Sequence, residues 1–141
     1  MNRFLVIFED GSIREDAIHY AVELTRRMDG SLSVLILNDS ESEHMAARHK
    51  REFDRVVQKL SWEGILGPAD IRYGDKASEL LKFIALVPAF HTLIWGGEDH
   101  VLKAYRSKKK GHWFAKVAKE VGCPIVTPVI KNLSKSAAEQ K

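Results

Sequence analysis

Apolar positions in this chain fall into two kinds of block. Short apolar runs occupy residues 4–8 and, with Ser33 as the one polar residue, 32–37, and a run of three, Leu93-Ile94-Trp95, follows Thr92. Each is bounded by turn-forming residues: Asp10-Gly11-Ser12, Asn38-Asp39-Ser40 and Gly96-Gly97. Runs of this length between turns are the pattern of strands buried on both faces. The stretches between them carry apolar residues at helical spacing. Over residues 14–28, Ala17, Ala21, Leu24 and Met28 form a stripe that Ile18 and Val22 widen. Ser12 with Glu15 three residues on matches a capping box, and Asp29-Gly30 supplies the stop.

A second helix is predicted over 43–62. Phe53, Val56, Val57 and Leu60 share its inner face, and Arg48, Lys50, Arg51, Arg55 and Lys59 its solvated side. Gly64 and Gly67-Pro68 end it. Residues 69–73 read as a weaker strand closed by Gly74-Asp75. The third helix covers 77–87, with Ala77, Leu80, Leu81, Ile84 and Ala85 inward and Pro88 as its limit. Residues 92–95 form the fourth strand and 98–110 a polar loop. The last helix spans 112–121, with Phe114, Val117, Ala118 and Val121 inward. Residues 124–129 give a fifth strand, and the polar tail from Lys131 is expected to fray.

Strand and helix thus alternate four times before a final strand. This predicts an α/β fold: a single domain with a five-stranded, mostly parallel, Rossmann-like sheet and helices on both faces. The domain covers 1–130 and the tail 131–141. Ligands of such sheets bind beyond the carboxyl ends of the strands, where the strand order reverses. The loops at those ends are 10–12, 38–40, 74–75 and 96–111.

Composition narrows the function. The chain has 141 residues, 45% apolar and 29% charged, which fits one globular domain. Its single cysteine, Cys123, excludes an intramolecular disulfide. The first apolar run is too short for a signal-peptide core or a membrane span, so the cytoplasm is the expected location. A net charge of +3 is too small to point to nucleic acid by itself. The charge is unevenly spread, however: residues 103–119 contain seven Lys or Arg and no acid. Lys108, Lys109 and Lys110 make that loop a candidate anion contact.

His100 and His112 flank the loop, but no cysteine or carboxylate is spaced to complete a metal site with them. His44 and His49 are expected on the surface, and Cys123 as a small core or interface hydrophobe. Trp62, Trp95 and Trp113 are expected to pack, Trp113 being the one placed to meet a base. Walker A, Gly-x-Ser-x-Gly and Cys-x-x-Cys sequences are absent.

Several pieces in order resemble the universal stress protein family. They are the first strand into Asp10-Gly11-Ser12, Gly74-Asp75 before a helix beginning Ala77-Ser78-Glu79, Leu93-Ile94-Trp95-Gly96-Gly97, and Gly111 followed twelve residues later by Cys123-Pro124-Ile125-Val126. The resemblance spans residues 3–130. It implies a five-stranded parallel sheet and a homodimer formed through the last strand, here Pro124, Ile125, Val126, Thr127, Pro128 and Val129.

Many family members bind ATP or a related nucleotide such as AMP. They do so through Gly-x-x-Gly, nine residues, then Gly-Ser or Gly-Thr, whose backbone N–H groups cradle phosphates. An acid after the first strand contacts the nucleoside. In this chain the first glycine corresponds to Gly97, the second to His100, and the third to Gly111, with His112 in place of the hydroxyl residue. The intervening stretch is one residue longer. The acid corresponds to Glu9 or Asp10. The candidate nucleotide residues are therefore Asp10, Gly11, Asn38, Gly97, His100, Lys108, Lys109, Lys110, Gly111 and His112.

The resemblance implies a non-catalytic stress-response or regulatory module; the departures at His100 and His112 lead to the expectation that ATP binds weakly or not at all, and no catalytic or metal site is expected. Two alternatives stay open: an ATP- or AMP-binding member that relies on the lysine-rich loop, and a small α/β hydrolase acting on a phosphorylated substrate through Asp10.

Overall fold

A computed structural model describes residues 2–87, 89–97 and 113–128. Its elements are β1 (Arg3–Glu9), α1 (Glu15–Arg27), β2 (Ser31–Asn38), a 3-10 turn (Ser40–Met45), α2 (Ala46–Glu63), β3 (Leu66–Tyr73), α3 (Lys76–Leu86), β4 (Thr92–Trp95), α4 (Trp113–Val117) with a 3-10 turn (Ala118–Glu120), and β5 (Ile125–Val126). The five strands form one sheet in the order β3-β2-β1-β4-β5. Every neighbouring pair is parallel. Three βα units fill β1 to β3 on one side, and the chain then crosses back to place β4 and β5 on the other side of β1. The reversal falls between β1 and β4.

The alternation of side chains across the central strands divides the core. Phe4, Val6 and Phe8 of β1, with Leu32, Val34 and Ile36 of β2, meet Ala17, Ile18 and Ala21 of α1 and Val56 and Leu60 of α2. Leu5, Ile7, Leu35, Leu37 and Trp95 meet Leu80 and Phe83 of α3 and Phe114 and Val117 of α4. Trp95 stacks on Phe114 with ring centroids 4.3 Å apart. The five apolar residues of the first run are buried on both faces, as their continuous pattern requires.

Several expectations need correction. Strand β3 begins at Leu66, not at residue 69, and runs through Gly67-Pro68. It lies at the sheet edge, where a proline need not donate to a second neighbour, and the ladder shifts register between Leu32 and Val34 beside it. Strand β5 is confined to Ile125–Val126, between Pro124 and Pro128, which lack an N–H for the ladder. The last helix is a single α-turn running into a 3-10 turn.

The capping box is not formed. Arg14 is the N-cap residue and makes no side-chain cap bond. Ser12 instead donates its backbone N–H to Glu9 O at 3.0 Å, closing a tight turn. The two central residues, Asp10 and Gly11, both have positive φ (53° and 70°), which a type I′ turn demands.

Met28 and Ala85 are exposed, and Phe83 and Lys76 are buried in α3 instead of Ala85. Trp62 is 81% exposed and does not pack in the core. It lies two residues past Leu60, about 200° around the helix from the buried stripe. Among the described residues no helix is long and apolar enough to cross a membrane.

Candidate functional site

The strand order reverses between β1 and β4, and the carboxyl ends beside such a reversal are the position favoured for ligands in open α/β sheets. Glu9 is the last residue of β1. By alternation with Leu5 and Ile7 its side chain faces α3 and α4. Asp10 and Gly11 form the turn above it. Asn38 and Asp39 follow from β2, Gly74-Asp75 from β3, and Gly96-Gly97 from β4.

The acids at the end of β1 are met by Lys76, the first residue of α3. Its Nζ donates to Glu9 Oε1 at 2.9 Å and to Asp10 Oδ2 at 2.7 Å, and lies 3.7 Å from Asp39 Oδ1. The lysine side chain is 9% exposed and that of Glu9 18%, whereas Asp10 remains 46% exposed. Burial pulls the Lys76 pKa down, but the hydrogen bonds to Asp10 and Glu9 outweigh it and hold the ammonium above its ordinary value. The indole N–H of Trp113, at the start of α4, donates to the same Glu9 oxygen at 3.0 Å. Two elements therefore converge on the end of β1 through polar contacts.

The start of α3 is fixed independently. The Asp75 carboxylate accepts the Ser78 backbone N–H at 3.0 Å as an N-cap, and hydrogen bonds from the Ser78 side chain and backbone hold the Asp75 pKa below its ordinary value. A lysine in the first turn of a helix opposes the helix dipole. Its placement there is explained by the carboxylates it meets.

The glycine pair after β4 has a packing cause. A Cβ on Gly96 would fall 2.5 Å from the Phe8 ring, and one on Gly97 2.5 Å from the Trp95 ring. The Arg14 guanidinium donates to the Gly97 carbonyl, tying the start of α1 to this loop.

On the other side of the Asp10-Gly11 turn lies a polar recess of ≈190 Å³ lined by Asp10, Gly11, Met45, Arg48, His49 and Glu52. His49 is 4% exposed, correcting the expectation of a surface position; His44 is exposed as expected. The His49 ring stacks on Tyr73 and its Nδ1 lies 2.6 Å from the Tyr73 hydroxyl. A Cβ on Gly11 would sit 2.6 Å from the His49 ring.

Of the expected site residues, Asp10 and Gly11 lie in the turn after β1 and Gly97 in the segment after β4. Asn38 is adjacent but 1% exposed, on the same face of β2 as Val34 and Ile36, where its Nδ2 donates to Arg72 O at 3.4 Å. His100, Lys108, Lys109, Lys110, Gly111 and His112 lie outside the described residues, as does Val129. Among the described residues no cluster of metal-ligating side chains is present.

The residues not foreseen are Lys76, His49 and Arg14, together with the Trp113–Glu9 contact. The signal for Lys76 was available: a cation directly after Gly74-Asp75, at a helix N-terminus and a strand's carboxyl end, is electrostatically misplaced unless acids face it. Either acid of the Glu9–Asp10 pair suits that position, since Lys76 binds both.

No family model matches the chain, and no curated protein matches it significantly. Solved structures do. A universal stress protein from Lactobacillus plantarum superposes with a TM-score of 0.65 at 16% identity, covering 91% of this chain and 97% of that one. This chain has the universal stress protein fold. A universal stress protein family member from Arabidopsis thaliana with AMP bound aligns at TM-score 0.52 and 16% identity, over 90% of each chain. A universal stress protein in complex with cAMP aligns at 0.55 and 15% identity, over 91% of this chain and 98% of that one.

Proposed function

We propose that this protein is a non-catalytic regulatory module of the universal stress protein type, acting in the cytoplasm as a homodimer and binding ATP weakly or not at all. The observation that carries the reading is the whole-length likeness of fold, over nine-tenths of both chains for the Lactobacillus protein. Weak ATP binding is supported by the sequence of the loop after Gly97. His100 and His112 stand where close backbone approach and a small hydroxyl would serve a phosphate. Each lost charge-assisted contact costs on the order of 1.5–3 kcal/mol. Two such losses weaken binding by roughly two to four orders of magnitude, at about 1.4 kcal/mol per decade.

The dimer is proposed to form through the β5 edge. Ile125 and Val126 pair with β4 on one side and are half-buried, and apolar edges invite a second strand. A second reading, an AMP- or ATP-binding module using the lysine-rich loop, is favoured by the nucleotides held in the Arabidopsis and cAMP-complexed neighbours.

Native mass spectrometry of the purified protein tests both points. The expected spectrum is a dimer without nucleotide, converted toward monomer by Val126→Lys. A retained nucleotide overturns the first reading in favour of the second, and a monomer at tens of micromolar overturns the dimer. A His100→Gly/His112→Ser variant should gain ATP binding.

A further inference from the structure

We infer that the apolar recess beside Cys123 is the seat for Val129 of a second copy of this chain, so that the dimer partner completes the core on the α3 and α4 side of the sheet. The inference rests on the proposed pairing of β5 edges, and adds to it a register and the residue that fills the recess.

The recess has a volume of ≈240 Å³ and is lined by Ile84, Ala89, Phe90, Leu93, Gly122 and Cys123. None of these is charged. It lies at the amino ends of β4 and β5, on the sheet face that packs against α3 and α4. The described residues end at Pro128, two residues past β5. Val129 and Ile130 come next, an apolar pair just before the polar tail that starts at Lys131. Six residues of extended chain span roughly 20 Å. Val129 of the same chain would therefore have to double back past β5 to reach the recess. A second copy running antiparallel along the β5 edge delivers it directly.

The register follows from the backbone. The Leu93 N–H donates to Pro124 O at 2.9 Å, so Pro124 and Val126 turn their backbone groups toward β4. By alternation Ile125 and Thr127 turn theirs outward, where a partner strand can bind them. The prolines at 124 and 128 are not among the outward residues, so their missing N–H groups do not oppose pairing. A two-fold axis perpendicular to the sheet keeps each residue on its own face, and directly opposed residues of an antiparallel pair share a face. Odd-numbered residues therefore oppose odd-numbered ones. With the axis on Val126, Ile125 exchanges both backbone bonds with the partner's Thr127, and Cys123 opposes the partner's Val129. Cys123 and Ile125 pack on the α3 and α4 side, so the partner's Val129 faces the recess and the partner's Ile130 the other side of the sheet.

The chain's single cysteine makes the test direct. The Cα atoms of a hydrogen-bonded antiparallel pair lie about 5.5 Å apart, within the span of about 4.4–6.8 Å that a disulfide bridges. Val129→Cys should oxidise to a covalent dimer through Cys123, visible on a non-reducing gel and abolished by reductant. Wild type, Ile130→Cys and Val129→Cys/Cys123→Ser should stay at background. A covalent dimer no more abundant in Val129→Cys than in Ile130→Cys overturns the inference.

Native mass spectrometry of the reduced Val129→Cys protein separates two failures. A non-covalent dimer that does not cross-link overturns the register and the occupant of the recess but leaves the dimer reading standing. A monomer overturns both. Val129→Asp supplies a second measurement, since it would place a carboxylate in the recess. It should raise the dimer dissociation constant by at least about tenfold, equivalent to about 1.4 kcal/mol, and an unchanged constant overturns the inference.

Discussion

Replacing Lys76 with methionine keeps most of the side-chain volume and removes the charge, so its effect on stability isolates the ion cluster. Breaking a fully buried pair by deleting one partner costs about 3–5 kcal/mol. Here the partners differ. Glu9 is 18% exposed and retains the Trp113 indole, whereas Asp10 is 46% exposed and can be rehydrated. Solvent screening of the exposed partner brings the expected loss to about 2 kcal/mol. For a domain of this length that lowers the melting temperature by roughly 6–8 °C.

The pH dependence follows from the raised lysine pKa. A group whose folded value is raised contributes fully below its unfolded value and loses that contribution as pH rises through the folded one. The deficit of the variant should therefore persist across neutral pH and shrink only above the ordinary lysine range. The assay is urea unfolding of wild type, Lys76→Met, Glu9→Gln and the double variant. A coupling of about 1 kcal/mol or more between the two sites is expected for residues in contact. A melting temperature within 1 °C or so of wild type, together with no coupling, would refute the reasoning, because the cluster would then contribute nothing.

Three further outcomes are expected. Gly97→Ala should destabilise by about 1–3 kcal/mol in urea unfolding, since its Cβ would fall 2.5 Å from the Trp95 ring in a packed site. Asp75→Ala should lower thermal stability at neutral pH. Because the folded Asp75 pKa is lowered by its bonds to Ser78, the difference from wild type should vanish as pH falls through that lowered value, which a pH series of melts will show. Cys123 should react slowly with a thiol-labelling reagent at neutral pH, because burial raises its pKa against the smaller opposing effect of its hydrogen bond with the Leu93 backbone.

The sheet was legible because its central strands are buried on both faces and therefore written as apolar runs, unbroken in residues 4–8 and interrupted only by Ser33 in 32–37. Edge strands gave weaker signals. Pro68 looked like a stop, yet an edge position tolerates it, and β5 is shortened between two prolines. Helix interiors were legible where an apolar stripe met the core, as for Val56 and Leu60. The stripe rule misplaced Ala85 and Met28, which are exposed near the ends of their helices although Ile84 and Val87 beside Ala85 pack on the core. At the candidate site, Asp10 and Gly11 could be picked out from a strand end and its turn, whereas Gly97 came from the family's glycine pattern. Lys76 and His49 could not be found by periodicity, because polar residues are normally assigned to the solvated side. Both are buried through partners distant in sequence: Lys76 with Glu9 and Asp10, His49 with Tyr73.

The most direct test of the account is titration calorimetry of ATP into the wild-type protein at physiological ionic strength. The account predicts affinity no tighter than about millimolar, or no heat of binding at all, from the loss of two phosphate contacts. Saturable binding at micromolar or tighter concentration would contradict it.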